Sequence, residues 1–293
     1  MKKTVILLLL SLTITAFTNE MRIAPVGYIK YEDTVYYNTS KVEKVDILTF
    51  EILDALYAKD KNHIYYDGKK IENLKPVDFI YLGDFYVKYK NEVYYSGKKL
   101  DGADFRSFVY LGNYYGKDKN DVYFGGKKIA EADSFTFKPL EFSYGKDKNS
   151  AFFVSKIILN SDPATFEVLN SKYSKDKNNV YFWGEKIEET DALSFKILNE
   201  EFGIDKNNAY YNARILEKSD PKTFKILDGL YSKDEKHVYI MGKIVNKVDS
   251  KTFETLGNYG YAKDKKYVYN FGEILKGENP KTFVAPPIPH IDY

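Results

Sequence analysis

Asp176-Lys177-Asn178-Asn179-Val180-Tyr181-Phe182-Trp183-Gly184-Glu185-Lys186-Ile187 is the stretch whose reading decides the fold. Val180-Tyr181-Phe182 has the β-branched and aromatic character of a strand. Trp183-Gly184 is then a tight turn, and Glu185-Lys186-Ile187 returns as a second strand. Equivalent turns carry Asp67-Gly68, Ser96-Gly97 and Gly125-Gly126, residue types that tolerate positive φ. The stretch is one copy of many. The triplet Asp-Lys-Asn stands at 60–62, 118–120, 147–149, 176–178 and 205–207, with Tyr-Lys-Asn at 89–91, Asp-Glu-Lys at 234–236 and Asp-Lys-Lys at 264–266. The steps are 29 residues or a multiple of 29, except for a last step of 30. A fixed period of this size is the signature of a repeat array.

Other columns keep the same spacing. An aromatic recurs at Tyr36, Tyr65, Tyr94, Tyr123, Phe152, Tyr181, Tyr210, Tyr239 and Tyr269, and a phenylalanine recurs in every unit from Phe50 to Phe283. A leucine follows the phenylalanine by three residues in eight units, from Leu53 to Leu256. Nine repeats therefore fill residues 19–285, with starts near 31, 60, 89, 118, 147, 176, 205, 234 and 264. The first and last are atypical, as terminal caps should be. Tyr31-Glu32-Asp33 replaces the triplet at one end, and Asn270 replaces an aromatic at the other. A Pro-rich tail at 286–293 then leaves the array, since its prolines cannot extend a sheet.

Asp162-Pro163-Ala164-Thr165-Phe166 reads differently, because Asp before Pro with a hydroxyl three residues on is a helix-start pattern. The spacing recurs at Asp104/Ser107, Asp191/Ser194 and Asp220/Thr223, among others. One short capped helical turn per unit is expected, followed by an extended third strand over 167–175. One 29-residue unit buries too few apolar side chains to offset the ordering of its own chain, so neighbours must stack. The expected fold is mainly β, an elongated solenoid-like array of hairpin, third strand and helical turn. A closed propeller-like ring is the alternative, although propeller blades are commonly longer, at about 40 residues.

Lys2 and Lys3 precede an apolar run from Val5 to Phe17. Its size suits a secretory leader rather than a membrane span, which needs about 20 apolar residues. Residues 1–18 are thus expected to be a signal peptide, and the protein to be exported. No other segment is apolar enough to span a bilayer. Without Lys2 and Lys3 the chain carries 42 Lys+Arg against 42 Asp+Glu, a balance that argues against nucleic acid as a partner. With no cysteine, stability has to come from packing.

Asp60-Lys61-Asn62-His63-Ile64-Tyr65-Tyr66, with its triplet followed by paired aromatics, resembles the DKNYY family of bacterial proteins, and the resemblance covers nearly the whole chain after the leader. That family has no assigned function. The resemblance implies a repeat-built, often exported protein and supplies no catalytic or binding residue. Tyr31, Tyr89, Glu235 and Lys266 depart from the motif, yet their units keep register, so the literal triplet is replaceable.

The period supplies a control for each chemistry-bearing residue. His63 and His237 share one column with Thr34, Glu92, Asp121, Ser150, Asn179, Asn208 and Tyr267, a set that marks an exposed turn, and His290 lies in the tail. The Asp-Lys-Asn triplet lacks the glycine and closing glutamate of a calcium loop, and Asp and Asn suit a turn. The hydroxyls of Thr165 and its counterparts recur without a repeating base. No catalytic residue, metal ligand or cofactor is therefore expected, and the chain reads as a non-enzyme. The invariantly aromatic column is expected to be a buried ladder, and the neighbouring Tyr66, Tyr95 and Phe182 column to face the opposite way.

One asymmetry escapes the period. The first four hairpin tips carry Asn38, Asp67, Ser96 and Gly125, while the last five carry Val154, Trp183, Asn212, Met241 and Phe271. Stacked in register, Val154, Trp183, Met241 and Phe271 form a candidate interaction stripe. The expected function is a non-enzymatic exported scaffold or protein-interaction protein of the envelope, with an unidentified protein as partner. The alternative is a module that binds cell-wall glycan through exposed tyrosine and tryptophan.

Overall fold

The computed structural model describes residues 27–287 except 229, 258 and 259, so the expected leader lies outside the described residues. The chain folds into a succession of small antiparallel sheets, nine among the described residues. The first has three strands, β1 (Tyr28–Tyr31), β2 (Thr34–Tyr37) and β3 (Ser40–Lys41). The second has four, β4 (Glu51–Ile52), β5 (Tyr57–Lys59), β6 (Ile64–Tyr66) and β7 (Lys69–Lys70), paired in chain order as a meander. Each of the seven later sheets repeats that four-stranded order. The Asp-Lys-Asn triplet is the turn between second and third strands, so each sheet straddles two sequence periods.

Two expectations need correction. Residues 167–175 hold two strands, Glu167–Val168 and Tyr173–Lys175, rather than one. Asn170 causes the break: its side-chain oxygen accepts the N–H groups of Lys172 (2.9 Å) and Tyr173 (2.7 Å), bending the chain between them. The capped helical turn is in most units one turn only, closed by one bond, as Thr49 N–H to Asp46 O (3.2 Å), or by two, as Thr136 N–H (3.2 Å) and Phe137 N–H (2.9 Å) to Asp133 O. A 3-10 helix forms over Pro76–Asp78. Propagation stops because the next residue is the phenylalanine, which must enter the core, and the residues after it pair as a first strand.

Period-two alternation then builds the core. In the second sheet Ala58 and Tyr65 face the preceding sheet and pack with Tyr28, Val35, Val42 and Phe50. Tyr57 and Ile64, on the other face, pack with Leu74, Phe79 and Val87 toward the following sheet. The remaining clusters repeat this pattern down the array, each joining one sheet to the next. The recurring phenylalanine is the wedge between them. Phe137 lies so close over Gly145 that a β-carbon there would stand 2.5 Å from its ring.

Side chains of the second strands tie neighbours together. The Tyr115 hydroxyl donates to Ser143 O in the next sheet (2.7 Å), and the Tyr173 hydroxyl accepts the N–H of Ala213 at the next hairpin tip (3.0 Å). Lys146 Nζ donates to Pro163 O (2.9 Å). The longest reach of such a bond is 41 residues, from Gly272 N–H to Tyr231. The outer face of the first sheet carries exposed Ile29 and Tyr31, although the corresponding Ala58 and Asp60 are buried. Among the described residues this succession of sheets, each packed on its neighbours, is an open solenoid-like array.

Candidate functional site

Antiparallel order sorts the turns onto two long flanks. The Asp-Lys-Asn turns lie at one end of the strands. The hairpin tips and the turns between first and second strands lie at the other.

On the Asp-Lys-Asn flank, the recurring Asp carboxylates and Ser or Thr hydroxyls are absorbed by structure. Asp205 is buried; its Oδ1 accepts the N–H groups of Asn207 (2.7 Å) and Asn208 (2.8 Å). Its Oδ2 accepts the Asp191 N–H (2.8 Å) and the Tyr210 hydroxyl (2.7 Å). The same set surrounds Asp60, Asp176 and Asp264. Burial alone would raise the pKa of Asp60 and Asp264, and the converging N–H and hydroxyl donors more than offset it, leaving both below the usual carboxylate value. Lys206 Nζ closes onto Asp191 at 2.6 Å, and Lys206 N–H donates to Ser194 Oγ (3.0 Å). The triplet is a latch that holds the turn leading into the same sheet, which belongs to the preceding sequence period.

The upstream aspartates are shifted too. Asp133 and Asp191 are held at about 2, first by the ammonium of Lys148 or Lys206, then by the hydroxyl and N–H of Thr136 or Ser194. For Asp104, also at about 2, the Ser107 hydroxyl and N–H lead and Lys119 follows. His63 and His237 donate their backbone N–H to Asp60 (2.7 Å) and Asp234 (2.6 Å), and their rings sit beside those carboxylates. They are triplet-turn residues. Among the described residues, no group of three or more His, Cys, Asp or Glu could hold a metal ion.

On the tip flank, Trp183, Met241 and Phe271 are exposed and Val154 is half-buried. All four have positive φ, at 49°, 47°, 47° and 60°. That conformation suits the Asn38, Asp67 and Gly125 of the early tips and is unfavourable for bulky residues, most of all for β-branched Val154. Trp183 packs on Phe182 (ring centroids 4.7 Å apart) beside a cleft lined by Phe153, Val154 and Ile158. Phe271 lies against Gly260.

The neighbouring turns extend the apolar surface in a way the tip columns alone did not reveal. Val154 N–H donates to Ser143 O (2.8 Å), which brings exposed Phe142 onto this flank, and Gly125 N–H to Tyr114 O (2.9 Å) does the same for exposed Tyr114. The signal was present in sequence as Asn113-Tyr114 and Glu141-Phe142, aromatic residues at turn positions. Sheet seven interrupts the surface with Asn212 and Glu201, joined through their backbones at 2.8 Å.

The DKNYY family model matches residues 28–156, 86–214 and 173–286. The chain belongs to the DKNYY family. The overlapping matches tile all nine sheets of this DKNYY protein, from β1 to the last strand, Glu273–Ile274. No curated protein and no solved structure matches it.

Proposed function

We propose that this DKNYY chain is a non-enzymatic exported scaffold that binds a partner in the bacterial envelope through its tip flank. One observation carries the reading: polar residues that recur are used within the repeat as latches and turns, whereas the tip flank holds bulky apolar residues in a backbone conformation that disfavours them. Strain of about 1 kcal/mol per residue persists where something other than local structure selects the side chain.

The test is a triple variant, Trp183→Asn, Met241→Asn and Phe271→Asn, assayed for retention on detergent-extracted, lipid-free envelope fractions and for thermal unfolding. The reading expects lost retention with an unchanged or higher melting midpoint, because Asn suits positive φ. A lower midpoint with unchanged retention would sink it. A second reading, binding of cell-wall glycan, is favoured by Trp183, whose exposed indole stands beside the Phe153 cleft. Absence of retention on every purified wall polysaccharide removes it.

A further inference from the structure

The opposite flank carries a second, more exposed row. Each turn entering a triplet has the form Asp-x-x-Thr/Ser or a close variant, and its third residue is the apex. Leu48, Val77, Phe135 and Leu193 occupy this position and are 92%, 84%, 92% and 83% exposed. An exposed turn position ordinarily holds Asp, Asn, Ser or Gly. None does here. The other apices are Arg106, Lys222, Lys251 and Lys281, with Ala164 the one small residue. Those four cations are exposed and in no ion pair among the described residues. The apex column thus contains no acid, while the column two residues before it is mostly Asp.

The row is rigid. Asp46 N–H donates to the buried Asp60 carboxylate (2.9 Å), Thr49 N–H to Asp46 O (3.2 Å) and Lys61 N–H to Thr49 Oγ1 (3.1 Å), so the turn is braced on both sides of Leu48.

We infer that this flank docks on an anionic lipid surface, with the apolar apices entering the headgroup boundary and the cationic apices meeting lipid phosphates. Leu, Val and Phe share no shape that a single protein groove or sugar-stacking platform would select. They share apolarity and projection, which a bilayer surface reads, and their cationic row-mates match its charge. The inference concerns the flank opposite the proposed partner site, and stands or falls separately from it.

The experiment is flotation of the chain from residue 19 onward, which keeps the whole described array, with vesicles of phosphatidylcholine alone or with about one third phosphatidylglycerol. The expected result is binding to the anionic vesicles and little to the neutral ones. Leu48→Ser, Val77→Ser, Phe135→Ser and Leu193→Ser together should weaken binding by about tenfold or more, since surface affinity scales with inserted apolar area, at an unchanged melting midpoint. Lys222→Glu, Lys251→Glu and Lys281→Glu together should also weaken it, and the tip variants should bind as wild type. Failure of wild type to float with anionic vesicles overturns the inference, as does equal binding to both vesicle types or by the four-serine variant. Loss of polysaccharide retention by that variant, without loss of vesicle binding, likewise overturns it. None of these results touches envelope retention through Trp183.

Discussion

At the residue scale, Asp205 and Val154 show two kinds of position. Asp205 gathers four donors in a buried site, so Asp205→Ala leaves them unmet and should destabilise the protein by about 2–4 kcal/mol. Lys206→Ala removes an exposed ion pair, which salt and solvent screen, and should lower the midpoint far less than Asp205→Ala does. Urea melts of the two variants check the contrast. Val154 is the reverse case: with φ at 60°, Val154→Asn should raise stability by about 1 kcal/mol, and a drop would mean that its packing outweighs the strain. The turn role of Asp-Lys-Asn was legible in sequence because Asp and Asn bond local backbone. The reach of Asp205 Oδ2 to Asp191, 14 residues upstream, was not, since it depends on where the sheet places the incoming turn.

At the element scale, latched turns and wedged sheets answer to pH in opposite directions. Asp104, Asp133 and Asp191 have folded-state values of about 2, below their ordinary 3.8. A depressed carboxylate lends stability above its unfolded value and loses it as pH falls toward its folded one. Melting midpoints should therefore hold down to about pH 4 and decline between about pH 4 and 2. Burial raises Tyr144 and Tyr173 from 10.0 to about 12. A raised tyrosine favours the fold below its unfolded value, so stability should fall as pH climbs from 10 toward 12. Midpoints measured across both windows check this; a midpoint that holds constant from pH 10 to 12 would contradict it. The hairpins could be read from Val180-Tyr181-Phe182 and Trp183-Gly184 alone. The fourth strand could not, because residues 167–175 look continuously extended until Asn170 is seen to cap the turn within them.

At the scale of the whole molecule, the period made a repeat array legible from the triplets alone, while face-to-face stacking rests on alternation. Ala58 and Tyr65 serve one neighbour, Tyr57 and Ile64 the other. Among the described residues cohesion runs between adjacent sheets, and Ile29 and Tyr31 on the first sheet's outer face are exposed. An array of this kind tolerates loss of an interior unit, which a closed ring of fixed blade number does not. The sharpest measurement is thermal unfolding, by far-ultraviolet circular dichroism, of a chain lacking residues 147–175, one full period, so that Lys146 joins Asp176 as Lys175 does in the intact protein. The shortened chain is expected to keep a β-sheet spectrum and a single cooperative transition, with a midpoint lowered by a few degrees. A chain that has lost its sheet signal or melts without cooperativity would contradict the open, nearest-neighbour stack.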